Sequence, residues 1–431
     1  MSSDAFPDSQ RRATRRGHRF ASFALTTILA LGLAACDDDE DSTGPDGPAT
    51  SDFVVRIENV DTADQFVKSG TFNTGVVAGT PGAILPGDAF EFSFTAPTGA
   101  SLSFATMFVP SNDFFFAPDG DGIELFDGTG TPVTGDVTSQ ILLWDAGTEV
   151  NQEPGTGADQ VQRQAAPNTG AADGDNTVRL APDDFSNLPA VSDVIEVTIS
   201  SDGPNSFTVR IENVSTATTL TTSTDMQAVP LSPGAWVVHT APDPLFTVGS
   251  PDFGEGLEGI AEDGDPAALG TSIAANTGIT IPLSPGVWAV HTGADPLYTL
   301  NSPDFGAGLE AIAEDGDPSA LAASLGADGD IESSGAFTTP VGASAPGAAA
   351  PGQAFEFTIS AEEGDKLSLA TMFVQSNDLF FAPSGAGIDL FSAGTPVSGN
   401  VTSQVFLYDA GTEVNEEPGI GPNQVQRQAA V

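Results

Sequence analysis

The chain contains an internal repeat, and this repeat limits the possible folds more than any other feature of the sequence. Three segments occur twice, in the same order. Such repetition indicates two copies of one structural unit rather than one large domain. We therefore predict two modules, at residues 51–203 and 204–431. The matching segments are Phe53–Val60 with Phe207–Val214, Phe104–Asp113 with Leu369–Asp378, and Asp145–Glu149 with Asp409–Glu413.

A second, shorter repeat lies inside the second predicted module. A cassette at residues 229–280 contains the segments Pro-Leu-Ser-Pro-Gly and Ala-Glu-Asp-Gly-Asp-Pro, and both return in a second cassette at 281–332. The first module, as bounded above, lacks this cassette. Two arrangements follow. Either one copy forms a surface appendage of the second module, or it packs on the first module.

The two predicted modules also end differently. The first has a tail, residues 167–200, that finishes in the strand-like run Val194–Ile199. The second has no equivalent and is predicted to lack this closing strand. We expect an unpaired sheet edge there, open to strand addition by a partner or by the other module.

Most of the chain reads as β-strand. Phe207–Val214, Ala89–Phe94 and Ala354–Ile359 alternate polar and apolar residues, and Gly, Pro, Asn and Asp separate such runs at short intervals. This pattern is typical of antiparallel sandwiches. The helical signal is Gly256–Ala261 and its copy, and Pro266 is expected to end that turn. We predict an all-β protein made of two antiparallel β-sandwich modules with few short helices.

The amino terminus predicts export. Five arginines precede an apolar run, Phe20–Ala35, that is too short for a membrane span and ends in small residues before Cys36. This arrangement resembles a bacterial lipoprotein signal peptide, assigned to residues 1–35, with the lipid carried by Cys36. Residues 36–50 are acidic and rich in Gly and Pro, and they predict a disordered linker. We expect a lipid-anchored protein of the bacterial cell envelope, periplasmic or on the cell surface.

The charge of the chain excludes some partners. It has 59 acidic and 12 basic residues, a formal net charge of −47. Such a surface repels nucleic acid and anionic lipid, so neither is expected as a partner. It attracts divalent cations or basic partners. Alternatively, many of the carboxylates serve only solubility at high ionic strength, where salt screens their repulsion.

Several motifs together resemble a known family. A Thr-Met-Phe-Val strand end followed by Ser-Asn-Asp, an Asp-Ala-Gly-Thr-Glu loop, and a Gly-Leu-Glu-x-Ile-Ala-Glu-Asp-Gly-Asp helix resemble the spondin amino-terminal domain in its bacterial form. The resemblance covers most of both modules. It implies an antiparallel β-sandwich with one calcium ion at one end. In animals this family is linked to cell adhesion and the extracellular matrix.

The resemblance also implies the calcium ligands. They are the last residue of Ser-Asn-Asp and both acids of the Asp-Ala-Gly-Thr-Glu loop. Calcium is a hard cation that takes oxygen ligands, and three clustered carboxylates without a cation repel one another. Glutamate stands at the last position of this loop, where the animal pattern has aspartate. The alternative is a pair of capped turns with solvated acids. The implied ligands are Asp113, Asp145 and Glu149, and Asp378, Asp409 and Glu413.

No enzyme class is indicated. Beyond the predicted signal peptide the chain has only His239 and His291, expected to be structural, and it has no nucleophile elbow, P-loop or zinc-protease motif. Gly254–Gly259 fits a dinucleotide fingerprint, but Glu255 and Glu258 would repel a pyrophosphate, so we interpret it as a Gly-rich helix start packed on the sheet.

The sequence therefore predicts a calcium-binding adhesion or matrix-binding protein with a protein or glycan ligand at the cell surface. A structural envelope protein without calcium-dependent activity is the alternative. A carbohydrate-active enzyme is the third possibility.

Overall fold

The computed structural model describes residues 23–24, 29–30, 50–181 and 185–428. The predicted lipidation residue Cys36, and almost all of the predicted signal peptide (1–35) and linker (36–50), lie outside these residues. The described chain is mostly antiparallel strand with a few short helices, so the predicted all-β fold is confirmed.

The first half of the described chain contains sixteen strands and two α-helices. They are β1 Phe23–Ala24, β2 Leu29–Ala30, β3 Ser51–Asn59, β4 Phe66–Phe72, β5 Ala89–Thr95, β6 Ser101–Phe108, β7 Phe114–Pro118, β8 Ile123–Glu124, β9 Gly135–Asp136, β10 Ile141–Asp145, β11 Arg179–Leu180, β12 Ile195–Gly203, β13 Ser206–Asn213, β14 Leu220–Thr221, β15 Met226–Gln227, β16 Leu231–His239, α1 Leu257–Asp263 and α2 Ala267–Ala275.

The second half contains the remaining elements. They are β17 Leu283–His291, α3 Leu309–Asp315, α4 Ser319–Ala327, β18 Ile331–Phe337, β19 Ala354–Ala361, β20 Lys366–Phe373, β21 Leu379–Pro383, β22 Ile388–Asp389, β23 Phe391–Ser392, β24 Thr395–Pro396 and β25 Val405–Asp409. Short 3-10 turns lie at Thr138–Gln140, Val191–Asp193 and Thr402–Gln404.

The first sandwich consists of two antiparallel sheets around an aromatic core. One sheet has the strand order β11-β10-β7-β6-β16-β4, with β8 paired to β6, and the other has the order β5-β13-β12-β9. Phe104 and Trp236 of the first sheet share a core with Phe90 and Phe207 of the second. Trp236 stacks on Phe92 with ring centroids 5.0 Å apart. Burial of these rings supplies much of the driving force for folding.

The second sandwich repeats this plan with strands from both ends of the chain. Its larger sheet has the order β18-β17-β20-β21-β25, with β22 paired to β20, and its smaller sheet pairs β19 with β3. Leu369 and Phe373 of the larger sheet share a core with Phe53 and Phe355 of the smaller one. The second sandwich therefore contains the earliest of the long strands.

Strand pairing divides the chain differently from the predicted boundary between residues 203 and 204. That boundary falls inside the β12–β13 hairpin, whose strands pair from Ile195 with Asn213 onward. Strand β3 pairs with β19 over residues 51–58, from Glu58 with Ala354 to Ser51 with Ala361. The first sandwich is thus built from residues 66–275 and is inserted between β3 and the rest of the second sandwich.

The two cassettes lie in different sandwiches rather than both in the second module, which is the second of the two expected arrangements. Each copy provides one long strand and one helix pair to a different sandwich. From the copy at 229–280, β16 pairs with β4 and β6 of the first sandwich. From the copy at 281–332, β17 pairs with β18 and β20 of the second. Neither copy is a surface appendage, because each fills the centre of a sheet.

Each cassette holds two helices where the sequence indicated one. Pro266 does not end the helical segment but stands at the amino-terminal boundary of α2. Proline suits the start of a helix because the first turn has no intrahelical acceptor for its missing N–H. Leu269 and Ile273 of α2, one turn apart, join Leu257 and Ile260 of α1 in a second core on the outer face of the larger sheet.

The edge of β3 that faces away from β19 is only partly covered. Strand β1 pairs with residues 58–59 and β2 with residues 53–54. In the described residues, Val55, Arg56 and Ile57 have no strand partner on this side, whereas the equivalent β13 is paired with β12 along its length. Within the part of the chain that the structure describes, this edge of β3 is paired only at residues 53–54 and 58–59.

Two chain segments cross between the sandwiches and bind each other. Residues 60–65 lead from β3 into β4, and residues 276–282 lead from α2 into β17. The N–H groups of Gln65 and Phe66 donate to Asn276 O at 3.0 and 3.1 Å. Asp61 accepts a hydrogen bond from Ile281 N at 2.7 Å. The connection between the sandwiches is a hydrogen-bonded double crossing rather than a single linker.

His239 and His291 have structural roles, as predicted. The His239 ring is buried and hydrogen-bonds Ala241 O at 2.6 Å and Ser103 Oγ at 2.9 Å. His291 makes the same pair of contacts with Gly293 O and Ser368 Oγ. Burial lowers the pKa of both histidines. Each ring is fully occupied in closing the turn after a central strand.

The Gly254–Gly259 segment begins a helix, as predicted, but Gly256 packs on α2 rather than on the sheet. Its φ is +111°, and a Cβ there would lie 2.5 Å from Leu269 N. Glycine is required at this position for its backbone conformation and for the close approach of the two helices.

Fragments cut according to strand pairing should fold, and fragments cut at the predicted boundary should not. Residues 61–280 contain every strand of the first sandwich, whereas residues 51–203 lack β13 and the central strand β16. We expect cooperative thermal unfolding and near-ultraviolet circular dichroism from 61–280 only. A cooperative transition in the 51–203 fragment would contradict the assignment.

Candidate functional site

The Ser-Asn-Asp segment of the first copy holds the Asp145–Glu149 loop in place. Ser111 Oγ accepts a hydrogen bond from Phe114 N at 3.0 Å and so fixes the turn after β6. Asn112 bonds the next stretch of the loop, accepting from Gln152 N at 3.2 Å and donating to Val150 O at 3.1 Å. The repeated motif therefore has a structural role, which is to join two loops at one end of the sandwich.

Asp113 also binds the second loop, but with only one of its two carboxylate oxygens. We refer to the Ser-Asn-Asp segment and its hydrogen bonds to the second loop as the clamp. Its Oδ2 accepts hydrogen bonds from Thr148 N at 3.2 Å and Glu149 N at 3.1 Å. Its Oδ1 is buried and has no hydrogen-bond partner. Burial, with the nearby negative charge of Asp145, raises the pKa of Asp113 to about 8. An unpartnered buried carboxylate oxygen is costly, so a proton or a cation is its expected partner.

Asp145 begins the loop and is fully buried. Its Oδ1 accepts a hydrogen bond from Gly147 N at 2.7 Å, and its Oδ2 accepts one from Asn151 Nδ2 at 2.7 Å. Arg179 Nη2 lies 2.9 Å from the same Oδ2. Burial raises the pKa of Asp145, and these three contacts oppose that rise. Asp145 is therefore beside Asp113 but is already well supplied with donors.

Glu149, the third predicted ligand of this copy, turns partly away. Its Oε1 accepts a hydrogen bond from Gly170 N at 2.5 Å, while Oε2 is buried without a partner. Burial raises its pKa. The longer glutamate arm thus reaches the neighbouring 168–181 segment and leaves one oxygen free.

Glu262 on α1 is a fourth acid at this end, and the sequence analysis did not select it. It is 2% exposed, and both of its oxygens lack a hydrogen-bond partner of normal geometry. Burial raises its pKa to about 7, although the Thr148 hydroxyl is near enough to oppose this rise. A usable signal was its position directly after the core residues Ile260 and Ala261 in a repeated helix, which predicts partial burial rather than a solvated turn.

The second copy reproduces the clamp. Asp378 Oδ2 accepts hydrogen bonds from Thr412 N and Glu413 N, each at 3.2 Å, and its Oδ1 is buried without a partner. Asp409 accepts from Gly411 N at 2.7 Å and from Asn415 Nδ2 at 2.9 Å. Burial raises the pKa of Asp378, and Asp409 adds to this effect.

The acids of the second copy lie in a more open site. Asp409 and Glu413 are exposed, unlike their counterparts in the first copy. Glu314, on α3, is the counterpart of Glu262 and is half-buried, and burial raises its pKa. Each sandwich therefore gathers four carboxylates at one end, from two loops and a helix.

This arrangement is not a preformed metal centre. Within the described residues, no group of three or more His, Cys, Asp or Glu side chains is positioned to hold a metal ion. The structure places the predicted ligands of each copy on one clamp, but their side chains point to different partners. A cation would have to draw Glu149 away from Gly170 or take its remaining ligands from carbonyl groups and water.

Comparison with protein-family models, with curated protein sequences and with solved structures gives no match. Across the part of the chain that the structure describes, no helix has the length and apolar character needed to cross a membrane.

Removing the charge of Asp113 should change how stability depends on pH in the presence of a chelator. The folded pKa of Asp113, about 8, is above the usual value of about 3.9 for an unfolded chain. The folded state therefore holds a proton that the unfolded state releases, and stability falls as pH rises towards 8. Glu262 acts in the same direction up to about pH 7. The buried histidines affect mainly the acid side of pH 6.5.

We expect the free energy of unfolding to decrease from pH 6.5 to pH 8, and to decrease less in an Asp113→Asn variant, which mimics the protonated acid. Urea denaturation at each pH measures this slope. An Asp127→Asn variant, altered in an exposed turn, should keep the wild-type slope. Equal slopes in wild type and Asp113→Asn would contradict the proposed burial of an unpaired carboxylate.

Proposed function

We propose that this chain is a calcium-binding protein of the bacterial cell envelope, anchored by a lipid on Cys36 and acting in adhesion or matrix binding. One observation carries the calcium proposal. Asp113 Oδ1 and Asp378 Oδ1 are buried without a hydrogen-bond partner at equivalent positions of the two sandwiches. A polar atom buried in this way calls for a partner, and a divalent cation supplies one while offsetting the repulsion among neighbouring acids.

The donor set suits calcium better than other common metals. The candidate ligands are carboxylates, and a bound cation would complete its coordination with loop carbonyls and water. Hard oxygen donors favour calcium, whose coordination is flexible, whereas zinc and copper favour cysteine and histidine. The two histidines among the described residues, His239 and His291, are not near these acids in sequence, and each already hydrogen-bonds a serine hydroxyl and a backbone carbonyl. The ligands proposed are Asp113, Asp145, Glu149 and Glu262 in one copy, and Asp378, Asp409, Glu413 and Glu314 in the other.

The binding role is proposed from the resemblance to spondin domains together with the charge. A net charge of −47 concentrates cations at the surface and repels nucleic acid and anionic lipid. Calcium would order the loops at one end of each sandwich, and these loops would then present a surface to a protein or glycan ligand. We propose binding rather than catalysis for this end of the molecule.

A structural envelope protein without calcium-dependent activity is the second candidate. The hydrogen bonds of Asp113 and Asp378 to two backbone N–H groups each favour it. These contacts alone account for an aspartate at both positions, since the aspartate joins two loops. The two candidates differ in whether the second oxygen of each aspartate binds a cation.

Calcium titration of residues 51–431 by calorimetry separates them. We expect saturable binding that is lost in an Asp113→Asn, Asp378→Asn double variant. Asparagine retains an oxygen for the backbone hydrogen bonds, so the clamp should survive while the charge is removed. The Asp127→Asn variant is the matched control and should bind as wild type does. No saturable binding by the wild-type chain would favour the structural candidate.

The lipid anchor is tested separately. In cells grown with an alkyne-tagged palmitate, we expect label on the full-length protein and none on a Cys36→Ser variant. The variant should also leave the membrane fraction, because a lipid chain supplies the apolar surface that holds the protein there. Membrane association that persists without label would count against Cys36 as the anchor.

A further inference from the structure

The two carboxylate ends differ in what covers them. In the first copy, residues 170–180 lie directly over the Asp145–Glu149 loop. Asp173 N donates to Thr148 O at 3.0 Å, Val150 N donates to Ala171 O at 2.7 Å, and β11 pairs Arg179 with Asp145. We refer to residues 170–180 as the covering segment.

A matched pair of glycines shows the difference. Gly147 and Gly411 occupy the same position in the two Asp-Ala-Gly-Thr-Glu loops and have similar φ values, +72° and +69°. A Cβ on Gly147 would lie 2.3 Å from Thr177 O, whereas a Cβ on Gly411 would meet nothing within 4 Å. The loop of the second copy is therefore open in the described structure where the loop of the first copy is covered.

The covering segment brings a fixed positive charge to the first site. Arg179 Nη2 lies 2.9 Å from Asp145 Oδ2 and 2.7 Å from Asp173 Oδ2. Its Nη1 donates to Asp175 O at 2.8 Å and Thr177 O at 3.1 Å. A guanidinium held by four oxygens is fixed in place, and it presents its charge to a carboxylate that is fully buried.

The second site has no such charge among the residues that the structure describes. No Lys or Arg side chain of residues 50–181 and 185–428 forms a salt bridge with Asp409 or with Asp378. The backbone hydrogen bonds of the first aspartate and its unpartnered oxygen are the same in both copies. The first site differs from the second in having a fixed cation, a covering segment and more deeply buried acids.

We propose that Arg179 acts as a built-in cation for the first site, so that calcium binds preferentially to the second site, at Asp378 and Asp409. This inference rests on the proposed calcium-binding function and assigns its two sites unequal roles. A calcium ion approaching Asp145 meets the guanidinium charge, and Glu149 can join its ligands only by giving up the Gly170 contact. At the second site it meets four carboxylates, two of them exposed, with no competing charge. The first site is thus stabilised without calcium, and the second responds to calcium.

The test is calorimetric calcium titration of residues 51–431 as wild type and as five single variants. Asp378→Asn should remove the tighter binding event, whereas Asp113→Asn should leave it. Arg179→Gln should strengthen binding at the first site by at least about tenfold, which is about 1.4 kcal/mol. Arg179→Lys, which keeps the charge, should strengthen it less. Arg210→Gln, at an arginine on β13 that pairs with Glu212, is the matched control and should change neither event.

Thermal melting followed by circular dichroism verifies that each variant is folded. The calcium affinities of Arg179→Lys and Arg179→Gln are then compared at a temperature where both are equally folded. Loss of the tighter event in Asp113→Asn, or two equal events unaffected by Arg179→Gln, would overturn the inference while leaving the calcium-binding function intact. Absence of binding in the wild type and in every variant would overturn both.

Discussion

The pairing of β3 with β19 is the interaction on which the rest of the architecture depends. Phe53, Val55 and Ile57 of β3 have no exposed surface, and they complete the core of a sandwich whose other strands come much later in the chain. Because β3 pairs with β19 of the second sandwich, the chain between residues 66 and 275 forms a separate sandwich without it. The double crossing of residues 60–65 and 276–282 is the direct result of this insertion.

The sequence was sufficient to predict where the strands lie, but it was not sufficient to predict which strands pair with each other. Alternating residues correctly placed β5, β13 and β19, since one buried face of a strand leaves a period of two. The partner of β3 was not predictable from local sequence, because Ala89–Phe94 and Ala354–Ile359 are nearly identical and each is an equally good neighbour for a Phe-x-Val-Arg-Ile-Glu-Asn strand. The wrong boundary between residues 203 and 204, and hence the wrong count of cassettes per module, both follow from that ambiguity.

The candidate site shows the same division. The loop motifs led to acids that the structure brings to one end of each sandwich, where Asp113 and Asp378 bind the backbone of the second loop. Their role as metal ligands stays a prediction. Arg179 and Glu262 were not selected, since each reaches the site through tertiary packing, one by the β10–β11 pairing and one from α1. A charge pattern alone does not distinguish a buried acid from a solvated one in a chain with 59 acidic residues.

The double crossing also determines what happens when a protease cuts the molecule. A cut within residues 60–65 leaves the first sandwich covalently joined to the second through residues 276–282. A cut within 276–282 leaves it joined to β3 through residues 60–65. In both cases β3 is still held by its ladder with β19, so neither half is shed from the part that carries residue 36. A chain threaded in this way stays assembled after a single cut in either of the two connections between its sandwiches.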